Sequence, residues 1–194
     1  MPSSAALKYN YQIGLARLLR QSPSTSKSNA QTFYHASLAA SVAAWDAYIN
    51  NLVKEFFSVT TDPLLTKYHH VHNLLLNLTD VALKKFNTPN WENSRNFLVI
   101  HTGYDPINDW VWPSKGMATV HVQERLNQIL KVRHSFAHGF SIPAFPWTQS
   151  PSGKIRLTSK GLIEVEAFLS HLVRQTDKGI NSHVCNIFHV TPSW

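Results

Sequence analysis

Residues 119–139 read TVHVQERLNQILKVRHSFAHG. Val122, Leu126 and Ile129 recur at spacings of four and three, and the same register runs on through position 133 to Phe136. That is the period of an α-helix, and Gly139 is suited to ending one. At the place where the register calls for an apolar side chain stands Arg133. A guanidinium on a core-facing stripe is costly unless it is paired or opens onto a polar cavity. Glu124, nine residues back, is too distant along the helix to be its partner. Either Arg133 snorkels to the surface or pairs with a remote acid such as Asp46, or it is held for function.

Working outward, the same period recurs. Leu38, Val42, Trp45, Ile49, Leu52 and Phe56 mark a long helix from about residue 30 to 57. Ala39, Ala40, Ala43 and Ala44 favour helix and permit close helix approach. A shorter helix is expected over 5–19, followed by a mobile link in QSPSTSKSN around Pro23. Asp62-Pro63 reads as an N-cap followed by proline in the first helical position, with Tyr68, Val71, Leu75, Leu78 and Ala82 as the next apolar stripe. Thr88-Pro89 repeats that start signal for a helix through Leu98 that Gly103 ends. A last helix begins near Ser159, with Leu162, Val165, Leu169 and Leu172 on its apolar face. No strand pair emerges, so the stripes predict an all-α helical bundle.

The chain has 194 residues, 43% of them hydrophobic, enough for one core and too few for two domains. The reading is therefore a single domain over 1–194, with its core over about 30–185, a helix and linker over 1–29, and a tail over 186–194. The first twenty residues lack the apolar run and small-residue cleavage site of a secretory signal, and no segment reaches the ~20 apolar residues of a membrane span. The one cysteine, Cys185, excludes an internal disulfide. A cytoplasmic location without membrane contact is expected. The formal charge is +7, and the excess is concentrated. Between Trp112 and Lys160, seven basic residues face a single acid, Glu124. Such a surface suits a polyanion, and Lys115, Arg125, Lys131, Lys154 and Arg156 are the candidate RNA contacts. A solvated basic face is the plainer alternative.

Arg133, His134 and His138 place a guanidinium and two imidazoles within six residues. His134 and His138 also have a spacing that metal ligands use, but no carboxylate or cysteine lies near them and Arg133 repels a cation. No cofactor is implied. Glu164 and Glu166 form no clear acid–base pair, and there is neither a glycine-rich phosphate loop nor a nucleophile elbow. The histidine-rich segment Tyr68 to His72 reads as an exposed helix face. Trp110, Trp112, Phe145 and Trp147 either stack on bases or, as loop aromatics more often do, cover the core.

The pattern of arginine, polar residue, three further residues and histidine resembles the signature of the HEPN family. The helix LNQILKVRHSFAHG, the upstream SLAASVAAWDAYINNLVKEF, the segment NTPNWENSRNFL and the closing LTSKGLIEVEAFLSHLVRQTD resemble its RiboL-PSP-HEPN subgroup, over roughly 30–185. The resemblance implies a bundle of five to six helices that forms a homodimer and brings two motifs together. It also implies metal-independent RNA cleavage, in a toxin–antitoxin or antiviral defence setting, with an antitoxin or regulatory protein as a further partner. In this reading His138 is general acid or base, Arg133 steadies phosphate and transition state, and His134 orients the site or contacts phosphate. Where a partner nucleotidyltransferase silences such toxins, the motif extends to a tyrosine that is Phe140 here, which argues against that control. A non-catalytic module binding RNA or a protein is the alternative. One tension remains: residues five apart on a straight helix differ by ~140° around the axis, so Arg133 and His138 do not share a face. Either the helix unwinds near Gly139 or the site draws on two protomers.

Overall fold

The computed structural model describes residues 1–22, 29–61, 64 and 66–192. Among these residues the chain forms six α-helices and no strand: α1 (Ser4–Gln21), α2 (Ala30–Thr60), α3 (His69–Lys85), α4 (Trp91–Thr102), α5 (Thr119–Ala137) and α6 (Ser159–His183). Among the described residues the strand-like pairing is limited to two isolated bridges, Trp112 with Met117 and Gln149 with Ile155. The link around Pro23 and the Asp62-Pro63 start signal lie outside the described residues.

α2 is the central element. Its stripe is buried as the spacing predicts, with Leu38, Trp45, Ile49 and Leu52 at 1% exposure or less. Each such side chain removed from water contributes about 1.5–3 kcal/mol before entropy is set against it. α1, α4, α5 and α6 pack around α2. The Trp45 indole N–H donates to the Pro89 carbonyl at 3.0 Å, fixing the approach to α4.

α1 is stitched on at its first turn. The Ser3 hydroxyl accepts the Ala6 N–H, Asp177 of α6 accepts the Ser3 N–H at 2.9 Å, and Glu55 of α2 accepts the Ser4 and Ala5 N–H groups, each at 2.9 Å. Donors that a helix start leaves unpaired therefore meet carboxylates, which the positive end of the helix dipole also favours. Burial raises the Asp177 carboxyl above its usual range.

α4 starts later than Thr88-Pro89 suggests. Asn90 is the cap, its side chain accepting the Asn93 N–H at 2.7 Å, while Pro89 is buried outside the helix with its carbonyl committed to Trp45. The other end agrees with expectation, since Gly103 takes φ +72° immediately after Thr102. α3 departs further. Its stripe is helical but faces outward, with Val71, Leu75 and Leu78 at 56%, 49% and 57% exposure and Thr79 alone fully buried. Of its apolar side chains Leu76, Ala82 and Leu83 pack against the core, and His72 sits edge-on to the core residue Phe57.

Candidate functional site

The candidate site is the C-terminal end of α5. Gly139 adopts φ +70°, a conformation that glycine enters without steric penalty. The Phe140 N–H then donates to the Ser135 carbonyl at 2.7 Å and the Gly139 N–H to the Phe136 carbonyl at 3.2 Å. This pair of bonds closes the helix in a Schellman motif. The helix is regular through Ala137, and the His138 N–H still reaches the His134 carbonyl at 3.1 Å. Unwinding therefore begins at His138, too late to turn Arg133 and His138 onto one face.

The apolar register shifts along α5. Val122, Leu126 and Ile129 are buried, and the buried face then continues through Val132 and Ser135, not through 133 and 136. Arg133 is consequently exposed and is not a core-stripe residue. Three-residue steps after Ile129 carry the buried face one position back, leaving Arg133, His134 and Phe136 outward. Among the described residues Arg133 makes neither a hydrogen bond nor an ion pair. Its charge nevertheless reaches Asp46 on α2: burial raises that carboxyl, and Arg133 together with an Asn50 hydrogen bond lowers it in part.

The two imidazoles do come together. The His134 and His138 rings lie 4.1 Å apart between centroids, tilted by 44°, and Phe140 stacks on the far partner, its centroid 6.0 Å from that of His138. A cleft of about 560 Å³ opens beside them, lined on α5 by Asn127, Lys131, Arg133 and His134, and beyond it by Phe140. His138 does not line it. A somewhat larger cleft of about 620 Å³ lies between α1 and α6, around Arg174 and Asp177, with no lining residue from α5 and none of the motif's chemistry.

The other predicted basic residues diverge. Lys131 is exposed on the cleft. Lys115, at the end of the 3₁₀ turn Pro113–Lys115, and Lys154 and Arg156, on a loop, are exposed and do not line it. Arg125 is engaged elsewhere: its guanidinium sits 4.8 Å over the Trp147 ring and donates to Glu164 at 3.5 Å. Trp110 and Trp147 are buried core residues, their N–H groups donating to Thr176 at 2.9 Å and Gln128 at 3.2 Å. Trp112 is half-buried and stacks on His171 at 4.5 Å. Phe145, also half-buried, lies against Trp147. Among the described residues no group of three or more His, Cys, Asp or Glu side chains gathers where a metal ion can be held.

One neighbour of the site was missed by sequence reasoning. His35 of α2 is 8% exposed and stacks flat on Phe136, 4.1 Å between centroids and 10° between planes. Its Nδ1 has no hydrogen-bond partner among the described residues, and burial lowers its pKa. The signal was available: three residues before Leu38, His35 continues the α2 stripe.

A family model for RiboL-PSP-HEPN matches residues 15–182. No curated protein and no solved structure gives a significant match. The matched span contains α2 to α5 whole and reaches from within α1 almost to the end of α6, with the Arg133–His138 motif inside it. With most of its length matched by that model, and with an all-helical bundle that agrees with it, the chain belongs to the RiboL-PSP-HEPN family.

Proposed function

We propose that this chain is a metal-independent endoribonuclease acting at the end of α5. The observation that carries the reading is Arg133: an exposed guanidinium with no ion-pair partner among the described residues, on a basic cleft, one residue from an imidazole that touches a second.

RNA contains its own nucleophile. A base takes the proton from a 2′-hydroxyl, the oxygen attacks the adjacent phosphorus, and the bond from phosphorus to the 5′-oxygen breaks as an acid protonates that leaving oxygen. The products are a 2′,3′-cyclic phosphate and a 5′-hydroxyl, so no water enters the first step. Imidazoles exchange protons near neutral pH, which suits His138 as general base or acid, with His134 orienting it or contacting phosphate. The planar fork of Arg133 braces two phosphate oxygens as charge builds on them. DNA lacks the nucleophile and should survive.

The regularity of α5 through Ala137 favours a shared site, in which a homodimer sets Arg133 of one protomer near His138 of its partner. A role as a toxin or in antiviral defence, with a protein partner that restrains it, follows from the family. A second reading has an observation of its own: His138 stands outside the cleft that Arg133 lines, as in a module that binds RNA without cutting it.

The test is cleavage of a mixed RNA pool in EDTA by wild type, Arg133→Ala and His138→Ala, each first shown folded and equally oligomeric. Cleavage by wild type alone, leaving cyclic phosphate ends, is expected. Binding without cleavage by wild type transfers the conclusion to the second reading. Equal cleavage by all three proteins removes the site assignment.

A further inference from the structure

The cleft beside Arg133 is more than a basic surface. Among the described residues no carboxylate lines it, while Lys131 and Arg133 supply two positive charges. Its volume of about 560 Å³ falls within the ~300–1,000 Å³ of sites that enclose a small ligand.

Two further side chains add features that phosphate binding does not require. Phe140 is 65% exposed at this charged cleft with its ring beside that of His138, so an apolar ring faces water next to two cations. Asn127 is half-buried on the cleft and makes no side-chain hydrogen bond among the described residues. Its amide presents a donor beside an acceptor.

A flat aromatic face, an unengaged amide and two cations together match one chemical group: a nucleotide whose base is not paired. In an A-form duplex the major-groove base edges are shielded in a deep groove and every base is stacked in the helix, whereas single-stranded bases can be splayed onto aromatic side chains and read along their edges. We infer that this cleft holds one unpaired nucleobase next to the phosphate at Arg133, with Phe140 as the stacking platform and Asn127 as the residue that reads the base edge. The inference rests on the reading of this end of α5 as an RNA site, and it makes single-stranded RNA, or a loop, the substrate class.

The probes are fluorescent hexamers of A, C and U in which every 2′-hydroxyl is replaced by fluorine, together with a self-complementary duplex of the same chemistry. None can be cut by 2′-hydroxyl attack, so anisotropy reads affinity whether or not the protein is a nuclease. Phe140→Ala is expected to weaken hexamer binding by about 5- to 100-fold, the range seen when a stacking aromatic is removed, and Phe140→Trp to restore it. Asn127→Ala is expected to flatten the differences among the three hexamers. Duplex affinity should change in neither variant, and circular dichroism should match wild type in all.

The inference is overturned if wild type fails to bind the hexamers, if both variants bind them as wild type does, or if the duplex loses affinity by the same factor. Cleavage of ordinary RNA with unchanged hexamer affinity in the variants removes the base site and leaves the nuclease. Base-dependent hexamer binding without cleavage does the reverse.

Discussion

Arg125 and Arg133 stand eight residues apart on α5, and the sequence marks both as candidates for RNA. The fold treats them differently. Arg125 lies over the Trp147 ring and reaches Glu164, with 16% of its side chain exposed, and burial lowers its pKa. Arg133 has no partner within ion-pair distance among the described residues and lines an open cleft. A cation whose neighbours already satisfy it holds the structure together. One whose neighbours leave it unsatisfied is available to an incoming phosphate.

The largest effect that can break this contrast is in activity. Arg133→Ala should lower RNA cleavage by about 10²–10³, the loss typical of removing a preorganised donor to transition-state charge, with an unchanged thermal midpoint. Arg125→Ala should do the opposite, costing about 1–2 kcal/mol in a denaturant titration and leaving cleavage nearly intact. A folded Arg125→Ala protein without cleavage would end the distinction.

A smaller effect sharpens the geometry between the helix and the cleft. Gly139→Ala meets no atom within 4 Å, so its cost is backbone conformation alone, about 1–2 kcal/mol at a positive φ. Cleavage should fall along with stability, because His138 and Phe140 flank that turn, and Gly139→Asn should be milder. Unchanged stability in Gly139→Ala would mean that the turn is not fixed as described.

The smallest effect concerns His35, beneath Phe136. Its folded pKa is depressed, so the unfolded chain takes up the proton first as pH falls. Stability is fully present above about 6.5 and declines as pH drops below that value toward the folded pKa. His101, also depressed by burial, acts in the same direction. His35→Phe keeps a ring for Phe136 to stack on and should reduce the slope of denaturation midpoint against pH; an unaltered slope would assign the dependence elsewhere.

Periodicity and caps were enough to delimit α5, and they also located the start of α6 and the glycine end of α4, because these depend on neighbours in sequence. What periodicity could not supply is which of two adjacent positions the core selects. Val132 and Arg133 both continue the spacing from Ile129, and the packing of α5 on α2 takes the valine. The same limit explains the aromatic loop: Trp110 and Trp147 could be read as stacking residues until Thr176 and Gln128, distant in sequence, were found bonded to their N–H groups. It explains the start of α4 as well, where the Pro89 carbonyl has a partner 44 residues away. The motif itself was legible as spacing and as family resemblance. The cleft was not, since Asn127 and Phe140 line it from opposite sides of the turn at Gly139.

The outward apolar face of α3, with Val71, Leu74, Leu75, Leu78 and Val81 each about half exposed, makes the molecule respond to its solvent in two opposed ways. Sulfate and moderate warming increase the tendency of such a face to leave water. The same added salt weakens any contact that Lys131 and Arg133 make with phosphate, by screening and by cancelling the gain from released counterions. Added sulfate therefore acts as a selector between the two surfaces of this protein: dilute buffer favours any phosphate contact at the end of α5, and concentrated sulfate favours burial of the α3 face.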